Sequence, residues 1–173
     1  MTRADIAKKV FDVSHLTGEF TLRSGITSTQ YFDKYQFESD PLLLAGVVDM
    51  MADLLPDETE FLAGLEMGGI AIATALSLRT GIPAVFVRKE AKKYGTCKLA
   101  EGPDVAGKKI VIIEDVITSG GQVILSAADL KSFGADILTT VCVIDREQGG
   151  KQKMEAAGLS MKSVFTMTEL LAV

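Results

Sequence analysis

One stretch of this chain combines acids, hydroxyls and glycines at a spacing that suits a phosphorylated sugar. Residues Ile110 to Val123 read IVIIEDVITSGGQV. An apolar strand ends in two carboxylates, Glu114 and Asp115, and a turn of Thr118, Ser119, Gly120 and Gly121 then opens a helix. Small residues let the backbone approach a ligand closely. Free amides at a helix N-terminus carry positive partial charge, so the turn forms an anion cradle. The hydroxyls of Thr118 and Ser119 add donors for phosphate oxygens. Phosphate alone would be repelled by Glu114 and Asp115. A ligand with a phosphate and neighbouring hydroxyls satisfies both halves, because ionised carboxylates accept hydrogen bonds from hydroxyls. A ribose 5-phosphate has that pattern. The stretch lacks the Lys of a Walker loop and the G-x-G-x-x-G spacing of a dinucleotide fold. The plainer alternative is an ordinary strand–turn–helix junction.

These residues need a frame to hold them. Helical spacing predicts a short amphipathic helix over Asp5–Val13. Phe20–Asp33 reads as strands with a turn at Ser24-Gly25. A helix follows over Pro41–Leu55, with Asp40 as N-cap and Pro41 in its first turn. Phe61–Leu65 is a short apolar strand, followed by Gly68-Gly69, a helix over Ile70–Arg79 and a stop at Gly81-Ile82-Pro83. Ala84–Val87, Lys109–Ile113 and Ile137–Ile144 read as strands, and Gln122–Phe133 as a helix stopped by Gly134. Lys151–Val173 offers an amphipathic piece and an apolar run, without a motif. Strands alternating with helices imply a parallel sheet covered on both faces. Ligands in such folds sit beyond the carboxyl ends of the strands, which puts Glu114–Gly121 at the expected site.

The chain has 173 residues, 47% hydrophobic and 24% charged, so one globular domain is the default expectation. A formal net charge of −5 argues against a nucleic-acid partner but leaves room for a local cationic pocket. No membrane span or signal segment is legible, and a soluble, cytoplasmic protein is expected. Cys97 and Cys142 form neither a disulfide framework nor a metal motif, so both are expected to be free thiols. His15 is the only histidine. With no acid or nucleophile fixed near it by sequence, its expected role is structural.

The Ile110–Val123 stretch resembles the phosphoribosyl pyrophosphate signature of type I phosphoribosyltransferases. The shared pattern is a hydrophobic strand, two acids, two aliphatic residues, then Thr and small residues. The resemblance implies an α/β fold, with a central parallel sheet, helices on both faces and a small N-terminal hood. Residues 1–173 would form one domain, with 1–40 supplying helix and hood. Three more segments resemble the orotate branch of that family. GEFTLRSGITSTQYFD, Gly18–Asp33, is similar to its hood, with Arg23 where those enzymes carry Lys; Arg keeps the charge but not the geometry. Tyr31 and Phe32 match an aromatic pair that packs on the pyrimidine, although core aromatics of a small strand layer would look alike. FVRKEAKKYGT, Phe86–Thr96, resembles the mobile catalytic loop. Arg88, Lys89 and Lys92 match its basic positions, and Tyr94 replaces the His that many members carry before the loop glycine. VIDREQGG, Val143–Gly150, resembles the base-reading segment, in which Arg146 would grip the carboxylate of orotate through two hydrogen bonds. The bland alternatives are a solvated basic loop and a surface pair of Arg146 with Glu147 or Asp145. AGLEMGGIAIATALS, Ala63–Ser77, is similar to the pyrophosphate loop. Glu66 is an unusual residue there unless a cation bridges it to the phosphates.

What the resemblance implies is transfer of phosphoribose from 5-phosphoribosyl 1-pyrophosphate to orotate, a step of UMP biosynthesis. Thr118, Ser119, Gly120 and Gly121 would hold the 5-phosphate, and Glu114 and Asp115 the ribose hydroxyls. Pyrophosphate would leave toward Arg88, Lys89 and Lys92, with Tyr94 nearby, because cations aimed at developing negative charge lower the barrier. Lys92, Asp115 and Arg88 are the expected catalytic residues. Mg²⁺ would be bound mainly by substrate oxygens and water rather than by protein ligands. A homodimer is implied, with loop 88–96 acting in trans. Two alternatives stay open: transfer to another base, and a regulator that senses the sugar pyrophosphate without catalysis.

Overall fold

A computed structural model describes residues 1–21, 25, 27–89 and 99–173. Helix α1, Arg3–Ser14, opens on a capping box in which the Thr2 hydroxyl accepts from the Asp5 amide and the Asp5 carboxylate accepts from the Thr2 amide. Strands β1, His15–Thr21, and β2, Thr27–Phe32, form an antiparallel hairpin. This is the expected N-terminal hood. A one-turn helix α2, Tyr35–Glu38, leads to α3, Pro41–Ala52. There the Asp40 carboxylate accepts from the amides of Leu42 and Leu43 at 2.9 and 3.1 Å, as the sequence suggests.

The main sheet follows as β3, Phe61–Leu65, β4, Ala84–Val87, β5, Ala100–Glu101, β6, Lys109–Ile117, β7, Asp136–Asp145, and β8, Met161–Thr166. Its order among the described residues is β5-β4-β3-β6-β7-β8, and every pairing is parallel except β4 with β5. The crossovers carry α4, Glu66–Thr80, α5, Gly121–Ser132, and α6, Gly150–Ala156, and the chain ends on α7, Met167–Leu171. Alternation along β6 divides the core. Val111 and Ile113 join one apolar cluster with residues of α1 to α4 and α7, while Ile110 and Ile112 join a second with α5 and α6. All four side chains are fully buried, each stabilising by roughly 1.5–3 kcal/mol. Both sheet faces are therefore covered, which is why these strands read as continuous apolar runs.

Three boundaries differ from the sequence reading. Strand β6 continues through both acids to Ile117, because β7 pairs with it as far as Ile117↔Asp145. Helix α4 starts at Glu66, so Gly68 and Gly69 lie in its first turn rather than in a loop. The tail from residue 151 is structured as α6, β8 and α7, and β8 is the edge strand beside β7. Among the described residues, no helix is long and apolar enough to cross a membrane.

Candidate active site

Parallel strands β3, β4, β6 and β7 end along one edge of the sheet, at Leu65, Val87, Ile117 and Asp145. Three groups of expected site residues meet that edge. The first is the cradle. Glu114, Thr118, Ser119, Gly120 and Gly121 line a cavity of 280 Å³ at the head of α5. Gly120 is left-handed with φ 69°, and a Cβ there would press on Met154 of α6 at 2.8 Å, so only glycine fits both the turn and the close approach. The open amides at the head of α5 and its dipole suit a dianion.

Behind the cradle lies an acidic centre that the sequence reveals only in part. Asp115 is 1% exposed, and the Lys34 ammonium forms an ion pair with it. Gly68 packs so closely on this carboxylate that a Cβ would collide with it, and Gly69 lies against Glu114. Glu38, four residues after Lys34, is also buried, and Asp115 acts on it both as a neighbouring charge and as a hydrogen-bond partner. Burial, then the charge of Asp115, pushes Glu38 up to about 8, with Lys34 opposing. Burial and the Asp115 charge likewise hold Glu114 well above the usual carboxylate range. For Lys34 burial opposes the charge, but the hydrogen bond and charge of Asp115 outweigh it and raise its affinity for the proton. Burial therefore favours the neutral form of Glu114 here, where the sequence reading takes it as ionised.

The second group surrounds a cavity of 640 Å³ lined by Glu66, Met67, Phe86, Arg88, Lys89 and Glu101, among others. Arg88 pairs with Glu101 at 3.4 Å, and its amide extends the β4–β5 pairing by donating to the Leu99 carbonyl at 2.9 Å. Glu66 has φ 49°, a strained backbone for a residue with a side chain, and its carboxylate accepts from the Lys89 amide. The third group is Arg146 with Tyr31 and Phe32, which border a cavity of 160 Å³ together with Phe11, His15 and Gln30. The Arg146 amide donates to the Ile117 carbonyl at 2.9 Å, which fixes this residue beside the cradle strand, and its buried Nε has no hydrogen-bond partner. Neighbouring strand residues face opposite sides, yet both aromatics border this cavity. Tyr31 stacks on Phe20 at 5.5 Å and is 45% exposed, while Phe32 packs against the core.

The phosphoribosyl transferase domain model matches residues 35–166. The orotate phosphoribosyltransferase of Nocardioides sp. (strain ATCC BAA-499 / JS614) is 53% identical over 167 residues, 96% of this chain and 93% of that protein. The chain belongs to the orotate phosphoribosyltransferase family. The orotate phosphoribosyltransferase of Methanocella arvoryzae (strain DSM 22066 / NBRC 105507 / MRE50) is 42% identical, covering 89% of this chain and 88% of that one. A crystal structure of the Mycobacterium tuberculosis H37Rv orotate phosphoribosyltransferase with 5-phospho-α-D-ribosyl 1-diphosphate superposes with a TM-score of 0.82 at 28% identity, covering 97% and 98% of the two chains.

Against that family frame, the expected positions Arg23, Lys92 and Tyr94 lie outside the described residues, as does Cys97. Arg88, Lys89, Glu114, Asp115, Thr118, Ser119, Gly120, Gly121, Tyr31, Phe32 and Arg146 reach the carboxyl edge of the sheet or the hairpin beside it. Sequence reasoning missed Lys34 and Glu38. Their i, i+4 spacing after the aromatic pair was the available signal, since it puts an ammonium and a carboxyl on one side of a turn. His15 stacks on Phe11 at 4.7 Å, a packing role as expected. Cys142 is buried, and that burial, helped by Asp145 and Glu114, pushes its thiol well up, which makes it inert. Among the described residues, no three His, Cys, Asp or Glu side chains are grouped to hold a metal. Glu66 and Glu114 put hard oxygen donors, the kind Mg²⁺ takes, on two of the cavities at this edge.

Proposed function

We propose that this chain transfers phosphoribose from 5-phosphoribosyl 1-pyrophosphate to orotate, giving orotidine 5-monophosphate and pyrophosphate. The observation that carries the reading is convergence on one sheet edge. An amide-rich cradle, a buried acidic pair and Arg146 with the aromatic hairpin all meet there. Thr118 to Gly121 take the 5-phosphate. Glu114 and Asp115 orient the ribose hydroxyls, which sets the anomeric carbon facing the base. Arg146 takes the orotate carboxylate, and its partnerless buried Nε supplies a ready donor. The Tyr31–Phe32 pair orients orotate with Arg146; Arg88, Lys89 and Lys92 hold the departing pyrophosphate, and Arg23 and Tyr94 join in substrate binding. When bound, Mg²⁺ supplies charge neutralisation on the phosphate oxygens. No side chain acts as a covalent nucleophile.

The reading extends to a single unit over residues 1–173, working in the cytoplasm as a homodimer whose loop 88–96 closes over the partner's site. The relatives named above support the reaction, and the net charge of −5 disfavours a nucleic-acid partner. Orotate loss followed by ultraviolet absorbance, with uracil and hypoxanthine as competing bases, tests the assignment. Turnover with orotate alone is expected. Turnover with another base in its place would reassign the substrate.

A further inference from the structure

We propose that Glu38 is a positioning residue: as a neutral acid it donates a hydrogen bond to Asp115 and so fixes the carboxylate that meets the ribose. The inference rests on phosphoribosyl transfer as the reaction. Geometry leads to it. Asp115 and Glu38 are 1% and 9% exposed, and Lys34 is the ammonium paired with Asp115. Among the described residues Lys34 is the cation that acts on this centre, and one ammonium does not neutralise Glu38, Glu114 and Asp115 together, which favours retained protons. Glu38 Oε1 and Asp115 Oδ2 are both sealed from solvent, where a second negative charge is costly. Among the described residues, the remaining charged groups that act on Glu38 include no second counter-ion. Asp33, Lys34 and Tyr35 belong to its own segment, and Asp115 and Glu114 face it from β6. Helices α1, α3 and α4 also pack on α2 and share the Phe37 apolar core with it; Glu66, at the head of α4, acts on Glu114. Burial and the Asp115 charge favour the protonated form of Glu38 up to about pH 8.

Ionising Glu38 removes the donor and places a second negative charge against Asp115. The carboxylate then loses its fixed orientation, and binding of the sugar pyrophosphate weakens. Gln at this position retains an N–H donor and cannot ionise, which separates the hydrogen bond from mere packing. The test measures kcat/KM for 5-phosphoribosyl 1-pyrophosphate, with Mg²⁺ and saturating orotate, from about pH 6.5 to 9.5 in the full chain and in Glu38→Gln and Glu38→Ala. The unsubstituted chain should lose about fivefold or more above pH 8, and Glu38→Gln should lack that alkaline fall. Glu38→Ala should raise KM for the sugar pyrophosphate about tenfold at pH 7.5, with kcat changed by less than about twofold. An alkaline fall in Glu38→Gln equal to that of the unsubstituted chain would overturn the proposal, and so would an unchanged KM in Glu38→Ala. If circular dichroism shows the Ala variant unfolded, the Gln profile decides alone. No turnover by the unsubstituted chain at any pH would overturn both this inference and the reaction beneath it.

Discussion

Lys34 and Asp115 form an ion pair that ties the segment after the hairpin to the strand carrying the acidic pair. The Asp115 side chain is 1% exposed and that of Lys34 31%, so the carboxylate is the partner that cannot turn to water. Removing the cation leaves a buried charge without compensation, which is far costlier than losing a surface pair. Lys34→Ala should therefore lower stability by about 2 kcal/mol, discounted for the half-open lysine, and raise KM for the sugar pyrophosphate. Urea unfolding monitored by circular dichroism checks the first effect and steady-state kinetics the second.

Gly68 meets the same carboxylate. A Cβ there would occupy the space of the Asp115 oxygen, and α4 is held by its packing against the sheet. Gly68→Ala should displace Asp115 and reduce kcat/KM for the sugar pyrophosphate about 100-fold, a geometric effect of a small misplacement. Isothermal titration with the sugar pyrophosphate should show the same loss of affinity.

Arg146 should discriminate between bases. Two charge-assisted hydrogen bonds to a carboxylate are worth about 3 kcal/mol or more together. Arg146→Ala should raise KM for orotate about 100-fold while leaving the KM for the sugar pyrophosphate within about threefold. Equal loss for both substrates would mean that Arg146 supports the cradle strand rather than reading the base.

Stability should fall as pH rises. Glu38 titrates near 4.5 when unfolded and at about 8 when folded, so between these values the folded state binds more protons. Its contribution is fully present below pH 4.5 and is lost as pH rises through about 8. Glu38→Gln should raise the melting temperature at pH 9 by roughly 2–4 °C, about 1 kcal/mol for a chain of this size, and change it little at pH 5. Differential scanning calorimetry at the two pH values checks the sign.

Metal removal should silence turnover without loosening the fold. Chelation is expected to abolish orotate consumption, restored by added Mg²⁺, while the melting temperature stays within about 1 °C. A large drop in melting temperature would instead point to a resident structural ion.

Much of this architecture was legible because both sheet faces are covered. Apolar runs such as Phe61–Leu65 and Ala84–Val87 match the observed strands residue for residue. Asp40-Pro41 marked the start of α3 through cap chemistry that depends on local residues alone. The cradle was legible for the same reason, since Thr118–Gly121 carries its chemistry in four consecutive positions. Lys34 and Glu38 were not. Their importance comes from meeting Asp115, some eighty positions away in the chain, and their local i, i+4 spacing does not say which distant group they meet. Strand β8 was missed because it lies on the sheet edge, where Lys162 and Ser163 interrupt the apolar run. Burial also reversed one electrostatic assumption, turning Glu114 from an ordinary carboxylate into a group that favours its proton.

The most direct test pairs two readings of one reaction mixture: orotate lost by absorbance and pyrophosphate released by an enzymatic assay, with Mg²⁺ and limiting 5-phosphoribosyl 1-pyrophosphate. Transfer predicts one pyrophosphate for each orotate consumed, and no release when orotate is left out. Pyrophosphate released without orotate loss would make the chain a hydrolase, and tight binding without either change would make it a sensor; each result contradicts the assignment.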